Sequence, residues 1–236
     1  MTDGWTQVVR HQVGLGRLLP LGGPGDGAWI TEDAAAAVLR RAAADGVPGV
    51  RLGALRIALA DPPRAAEPAV PAPPSALPPG ALRVTADFAA APAEPLPATA
   101  DRLRETLATA AADRLGLAVT EVDLRVTDLL EPDGPAGEVR PPRPPSAREA
   151  TAPAEARVAA AALSVPGVVR LTGPGRAVRV EERTDGTAAL AHRHVRVDLA
   201  TDAAHRAADV ARRVRAAVRD ALEDRPTVAV LVTAVG

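Results

Sequence analysis

Apolar and polar positions follow one another in the first half of the chain in segments that predict helices and strands in a regular order. Residues 31–45 and 99–115 predict helices, since their apolar side chains recur at helical spacing and Thr31 offers an N-cap. Alternating apolar and polar side chains predict strands over residues 50–59, 81–89 and 119–129. The predicted order is therefore helix, strand, strand, helix, strand.

The second half of the chain repeats this order. Helices are predicted over residues 152–164 and 201–224, and strands over residues 168–180, 194–200 and 227–235. A polar stretch around Asp185 and Gly186 predicts a turn between the first two of these strands. The last strand is apolar at nearly every position, which indicates burial on both of its faces.

Short sequence matches relate the two halves. The tetrapeptide Val-Pro-Gly-Val occurs at residues 47–50 and again at 165–168, each time directly after an Ala-rich predicted helix. Asp87 and Asp198 occupy matching positions in the second predicted strand of each half. These matches predict an α+β fold of two tandem αββαβ units, each a small three-stranded sheet covered by two helices. The alternative is that helix–strand segments of any chain so rich in Val and Ala align in this way.

Two proline-rich segments divide the chain. Residues 60–80 contain eight Pro and residues 131–148 contain six, so neither segment suits a helix interior or a central strand. Both are predicted to be extended, mobile connectors. For the second segment, the alternative is that residues 142–145 form a PxxP ligand for the aromatic groove of another protein. The predicted organisation is an N-terminal arm, a first unit with a Pro-rich insert at 60–80, a Pro-rich linker and a second unit, over residues 1–28, 29–130, 131–150 and 151–236. Within the arm, residues 4–14 could form a short helix that anchors Trp5 on a neighbour.

Composition narrows the function classes without identifying one. All 28 basic residues are Arg, a bias typical of a GC-rich, actinobacterial genome, and the absence of Cys excludes disulfides and thiolate chemistry. Residues 1–139 carry 12 Arg and 18 acidic residues, while residues 140–236 carry 16 Arg and 11 acidic residues. This charge difference is too small to demand a nucleic-acid partner. The sequence shows neither a signal-peptide pattern nor a membrane-spanning apolar run.

Residues that could carry chemistry do not form a recognisable motif. None of Ser75, Ser146 and Ser164 lies in a GxSxG elbow, and the Gly-rich residues 22–27 lack the Lys-Ser/Thr of a phosphate-binding loop. A metal site is weighed as an alternative to exposed histidines, with the following candidate ligands: His192, His194 and His205 with Asp198 or Asp202. We therefore expect no enzyme activity, no cofactor and no metal.

The helix predicted over residues 201–224 has two distinct faces. Val210, Val214 and Val218 form an apolar stripe, and the opposite side carries Arg212, Arg215 and Arg219. We take these three arginines as candidate partner-binding residues, with a merely solvated helix face as the alternative.

The second half resembles the alkaline-shock (Gls-type) envelope stress response family. The matching elements are a helix before Pro166-Gly167-Val168, the strand at residues 195–200, the helix around residues 210–218 and the terminal Val-rich strand. Residues 29–130 resemble a degenerate first copy. The chain departs from the family at residues 224–227, where the usual Gly after the second helix and Asn in the last strand are missing.

The resemblance implies a non-enzymatic, cytoplasmic scaffold that acts by protein–protein association, through sheet edges or the arginine face. It also implies self-assembly into a homo-oligomer, and a membrane-anchored protein partner that would hold the chain at the inner face of the membrane. A KH-like nucleic-acid-binding protein is the alternative, because KH domains share the αββαβ order of elements. Against it, the sequence places no GxxG loop between two helices and no aromatic residue in its basic half.

Overall fold

The computed structural model describes residues 15–131, 139, 141–173, 175–183 and 192–236. The helices in these ranges are α1 (Glu32–Gly46), α2 (Leu96–Ala110), α3 (Pro153–Leu163) and α4 (Ala207–Asp220). The strands are β1 (Leu18–Pro20), β2 (Ala28–Thr31), β3 (Val50–Leu59), β4 (Leu82–Ala90), β5 (Val119–Leu129), β6 (Val168–Leu171), β7 (Val178–Arg183), β8 (His192–Thr201) and β9 (Thr227–Val235). A 3₁₀ turn spans Pro62–Arg64 and a π-helical turn spans Ala111–Leu115. The fold is α+β, as predicted.

The strands form two sheets. The three-stranded sheet has the order β3-β4-β5, with β3 antiparallel and β5 parallel to β4. The six-stranded sheet has the order β1-β2-β9-β8, and both β6 and β7 pair with β8. In this sheet β9 runs parallel to β2 and β8, while the other pairs are antiparallel. The prediction of two three-stranded sheets is therefore wrong for the second sheet.

Local sequence explains where α1 begins and where the turn after α2 ends. The hydroxyl of Thr31 accepts the backbone N–H of Ala34 at 3.3 Å, which confirms Thr31 as the N-cap of α1. Helix α2 begins at Leu96, earlier than predicted, and continues into the π-helical turn that ends at Gly116. Gly116 has a φ of +87°, and a Cβ there would lie 2.4 Å from the Cβ of Ala208. Glycine at this position therefore lets the end of α2 approach the start of α4.

Helix α4 is shorter than the helix predicted over residues 201–224. The carboxylate of Asp202 accepts the backbone N–H groups of Ala204 and His205, both at 3.0 Å, and this turn keeps residues 202–205 out of the helix. Thr201 belongs to β8 instead. The helical part nevertheless buries the predicted stripe of Val210, Val214 and Val218.

The strand predicted over residues 168–180 is divided into β6 and β7. Both lie antiparallel to β8, β6 beside its second half and β7 beside its first half. Between them the chain leaves the sheet, with Thr172 buried and Gly173 at a φ of +140°. The turn predicted at Asp185 and Gly186 lies outside the described residues.

Part of the predicted N-terminal arm belongs to the six-stranded sheet. Strand β1 and strand β2 pair with each other, and β2 pairs with the last strand of the chain. Leu19, Leu21 and Ile30 are fully buried in the main core, so short apolar runs on either side of the Gly-rich turn supply both strands. The arm predicted over residues 1–28 is thus wrong for its second half. Residues 1–14, with the helix predicted for Trp5, lie outside the described residues.

The Pro-rich insert at residues 60–80 is packed, contrary to the prediction of a mobile connector. Val70 completes a second apolar cluster with Leu18, Trp29, Ala229 and Leu231 on the face of the six-stranded sheet that lies away from the main core. The indole N–H of Trp29 donates to the Leu77 carbonyl at 3.3 Å. An extended Pro-rich segment keeps its carbonyls and apolar side chains available, and here both are used to cover the sheet.

The Pro-rich linker also contacts the six-stranded sheet where the structure describes it. The backbone N–H of Ala147 donates to the Leu171 carbonyl at 3.3 Å, and that of Gly173 donates to the Pro145 carbonyl at 2.9 Å. Residues 144–148 therefore lie along the interrupted edge formed by β6 and β7. The main core, by contrast, is shared by both sheets and by the apolar faces of all four helices.

Candidate interaction surface

Two of the three arginines on the predicted binding face of α4 bond to other parts of the same chain. Arg212 makes a bidentate ion pair with Asp26, with Nε–Oδ1 and Nη2–Oδ2 distances of 2.9 and 3.0 Å, and its Nη1 lies 2.7 Å from Asp209 Oδ1. The hydrogen bond from Arg212 lowers the pKa of the Asp26 carboxyl. The same bond raises the pKa of Arg212. This pair fastens the turn between β1 and β2 to the helix.

The other two candidate arginines differ from each other. Arg215 is partly buried, its Nη1 donates to the Gly25 carbonyl, and burial lowers its pKa. Arg219 lies exposed at the end of α4. Arg212 and Arg215 both contact the β1–β2 turn, so exchanging them would also remove contacts within the fold. A role of this face in partner binding stays a prediction.

A buried charge cluster on β8 was not predicted from the sequence. Arg196 Nε and Nη2 lie 2.8 and 3.1 Å from the two carboxylate oxygens of Asp198, and Arg179 Nη1 lies 3.5 Å from Oδ2. The Asp198 side chain is 1% exposed and that of Arg196 is 9% exposed. Burial lowers the pKa of Arg179. Two arginines engage this one carboxylate, so both of its oxygens already have hydrogen-bond partners within the fold.

A cavity of about 370 Å³ lies beside this cluster, lined in part by Thr31, Asp198 and Thr233. The Thr31 hydroxyl donates to the Thr233 carbonyl at 3.4 Å, and the Thr233 hydroxyl lies 2.8 Å from that of Thr172. These hydroxyls bond to one another and to backbone carbonyls. In the part of the chain that the structure describes, the cavity therefore brings no hydroxyl against a histidine or carboxylate base.

Two of the three histidines weighed as metal ligands, His194 and His205, have hydrogen-bond partners in the fold. His194 Nδ1 lies 2.8 Å from the hydroxyl of Thr227, and burial lowers the pKa of His194. His205 Nδ1 lies 2.8 Å from Asp202 Oδ1. Across residues 15–131, 139, 141–173, 175–183 and 192–236, no group of three His, Asp or Glu side chains is placed to hold a metal ion.

The outer edge of β5 is an open sheet edge. Strand β5 has 11 residues and pairs with β4 on one side, and among the described residues no strand pairs with its other side. Two of its apolar side chains are exposed, Val126 at 40% and Leu129 at 59%. An edge with free backbone groups and exposed apolar side chains is a template for pairing with another chain. The sequence predicted this strand, but its place at the edge depends on the sheet order.

The opposite edge of the three-stranded sheet is blocked. Strand β3 carries a register irregularity with β4 between Leu52 and Leu55, inside the strand, whereas the two irregularities of the β4–β5 pairing lie toward the ends of β5. The Glu32 carboxylate accepts the Ile57 N–H at 2.8 Å, and Arg17 Nη1 donates to the Ile57 carbonyl at 3.1 Å. At Ile57 these two side chains occupy the backbone groups that an added strand would need, and Arg40 Nη2 donates to the Gly53 carbonyl at 3.2 Å.

The outer strands of the six-stranded sheet meet the Pro-rich segments. The Leu18 N–H of β1 donates to the Ser75 carbonyl at 3.1 Å, and the Leu18 carbonyl accepts the Leu77 N–H at 2.8 Å. On the other side, residues 145–148 bond along β6 and the segment that follows it. Strand β7 also lies at this side and has 6 residues. Strand β5 is thus the longest edge of either sheet that the described residues leave open.

None of the helices in the described ranges is both long enough and apolar enough to cross a lipid bilayer. No protein-family model, curated protein or solved structure matches the chain.

Proposed function

We propose that this chain is a non-enzymatic interaction protein that binds another protein chain through the outer edge of β5. The open β5 edge carries the proposal, because the β3 edge of the same sheet is blocked and β1 and β6 are bonded to Pro-rich segments. A strand added to β5 would satisfy its free backbone groups and cover Val126 and Leu129. Association through the α4 arginine face is less favoured, since Arg212 and Arg215 are engaged within the fold.

We further propose that the chain consists of two tandem αββαβ units of the alkaline-shock type. The order α1-β3-β4-α2-β5 corresponds to α3-(β6, β7)-β8-α4-β9, and each half joins an antiparallel strand pair to a parallel one. Asp87 on β4 and Asp198 on β8 then occupy equivalent positions. The same resemblance supports a cytoplasmic scaffold in envelope stress, held near the membrane by a membrane-anchored protein partner.

Site-specific photo-crosslinking in cells tests the proposed edge. A photoreactive amino acid at Thr127 on β5 should give protein adducts, whereas the same group at Ala58 on the blocked edge β3 should give far fewer. Both positions lie near the end of an edge strand, so Ala58 controls for general reactivity. Adducts from Ala58 alone, or from neither position, would overturn the β5 assignment. Nuclease-sensitive RNA adducts instead of protein adducts would favour the KH-like alternative.

A further inference from the structure

We infer that the partner strand is β5 of a second copy of this chain, paired antiparallel with Leu124 opposite Leu124. The inference rests on the proposed function of β5 and goes further by naming the partner and the register. A two-fold axis through Leu124, perpendicular to the sheet, would join the two three-stranded sheets into one continuous sheet and keep the helices of both copies on the same face.

The charges on the outer face of β5 complement one another in this register. Asp123 lies opposite Arg125 of the second copy, and symmetry makes this pair twice. Within each copy, Asp123 Oδ2 lies 3.5 Å from Arg83 Nε, and both nitrogens of the Arg125 fork lie 2.9 Å from the Asp87 carboxylate. Across the junction the charges would therefore alternate in sign, in the order Arg83, Asp123, Arg125 and Asp87. Opposite charges on directly facing strand positions stabilise a sheet.

The apolar side chains on the inner face match in the same register. Val122, Leu124 and Val126 lie opposite Val84, Ala86 and Phe88 of β4, which places all three on the face toward the core. The register pairs Val122 with Val126 of the second copy and Leu124 with its own equivalent. The exposed side chain of Val126, which lies opposite Phe88 on one side, would gain Val122 of the second copy as an apolar neighbour on the other.

Neighbouring two-fold registers are less favourable. An axis through Asp123 would place the two Asp123 side chains directly opposite each other, and an axis through Arg125 would do the same for Arg125. Like charges on facing positions destabilise a strand pair. An axis between two residues would place an inward-facing side chain opposite an outward-facing one, which the pleat of a regular antiparallel pair does not allow.

The blocked edge β3 limits this assembly to two copies. Pairing of β5 with β5 is isologous, so each copy uses its open edge once. On the far side of each sheet, Glu32 and Arg17 hold the Ile57 backbone groups, so β3 does not offer the same uninterrupted edge for further addition. The expected product is a closed dimer rather than a filament.

Disulfide trapping tests the register, because the chain has no cysteine of its own. Residues directly opposite in antiparallel strands have Cα atoms about 4.5–5.5 Å apart, within the range that a disulfide spans. The purified Leu124→Cys variant should therefore form a disulfide-linked dimer on mild oxidation. Leu55→Cys, a half-buried leucine on the blocked edge β3, is the matched control and should stay a monomer. Equal dimer formation by both variants, or none by Leu124→Cys, would overturn the inference.

Charge exchange tests the same register without oxidation. Asp123→Arg places Arg opposite Arg125 twice, and Arg125→Asp places Asp opposite Asp123 twice, so each variant should raise the dimer dissociation constant by about tenfold or more in sedimentation. A mixture of the two variants pairs opposite charges again and should restore a dimer. Asp113→Arg, an exposed charge change away from β5, should leave dimerisation unchanged. Undiminished dimerisation of Asp123→Arg, or no recovery in the mixture, would contradict the register.

The two proposals can fail separately. If the wild-type chain stays monomeric while a photoreactive group at Thr127 captures a different protein in cells, the β5 edge is an interaction site but the second copy is not its partner. If Thr127 gives no protein adduct and the chain stays monomeric, both proposals are overturned.

Discussion

Each sheet carries an ion pair between an aspartate and an arginine, but the two pairs differ in exposure. On β8, Asp198 and Arg196 form a bidentate pair that is almost fully buried. On β4, Asp87 and Arg125 form a pair of similar geometry, but Arg125 is 75% exposed. The six-stranded sheet has the Pro-rich insert and linker packed against it, whereas the outer face of the three-stranded sheet displays its charges. The outer face of the six-stranded sheet is thus covered, whereas that of the three-stranded sheet is exposed.

Removing the carboxylate charge of Asp198 or of Asp87 should give the largest difference in unfolding free energy between the two sheets. Asp198→Asn leaves the buried Arg196 and the half-buried Arg179 without this counterion, which should lower the free energy of unfolding by about 3–5 kcal/mol. Asp87→Asn leaves only an exposed arginine, so its effect should be much smaller. Urea denaturation of the two variants checks this. Equal destabilisation would show that the buried cluster does not hold the six-stranded sheet.

The second largest effect on the free energy of unfolding is expected from the Pro-rich insert at residues 60–80. Val70→Ala removes buried methyl groups from the cluster around Trp29, and we expect a loss of about 2 kcal/mol. Val126→Ala makes the same change on the exposed strand β5 and should leave the unfolding free energy of the monomer nearly unaltered. Thermal unfolding followed through Trp fluorescence measures both. An unaltered Val70→Ala variant would mean that the insert does not stabilise the sheet.

A smaller difference between the two sheets should appear in how the free energy of unfolding depends on pH in the acidic range. Arg212 and Arg125 lower the pKa values of Asp26 and Asp87 below the ordinary value of 3.8. Each carboxylate therefore contributes stability above pH 3.8 that is lost as the pH falls through its lowered pKa.

Arg212→Gln should flatten this acid-dependent loss more than Arg125→Gln does, because Arg212 is 44% exposed and Arg125 is 75% exposed. We expect the Arg212 contribution to be about 1 kcal/mol or less. Unfolding midpoints measured from pH 2 to 6 check the order of the two variants. A steeper acid dependence after either exchange would reverse the expected sign.

Local signals in the sequence predicted most of the elements. The Thr31 cap and the alternation of residues 50–59 and 119–129 depend only on near neighbours along the chain, and these predictions are confirmed. The pairing of β2 with β9 joins opposite ends of the sequence, so no local pattern could indicate it. The short apolar runs around the Gly-rich turn were the available sign of β1 and β2.

The candidate interaction surface likewise depends on contacts between residues that lie far apart in the sequence. The sequence placed Arg212 and Arg215 opposite the apolar stripe of α4, but the Asp26 partner of Arg212 lies 186 residues away. The Pro content of residues 60–80 correctly excluded an α-helix, yet it could not show which surface the segment covers. Whether β5 is an edge likewise depends on the pairing of all three strands.

Amide hydrogen exchange at low and high protein concentration tests the central claim most directly, since it compares β5 with the α4 arginine face in one experiment. We predict that exchange within residues 119–129 slows as concentration rises, while exchange in β3 and α4 stays the same. Slowing confined to α4, or no change in β5 under conditions where the chain associates, would contradict association through the open edge.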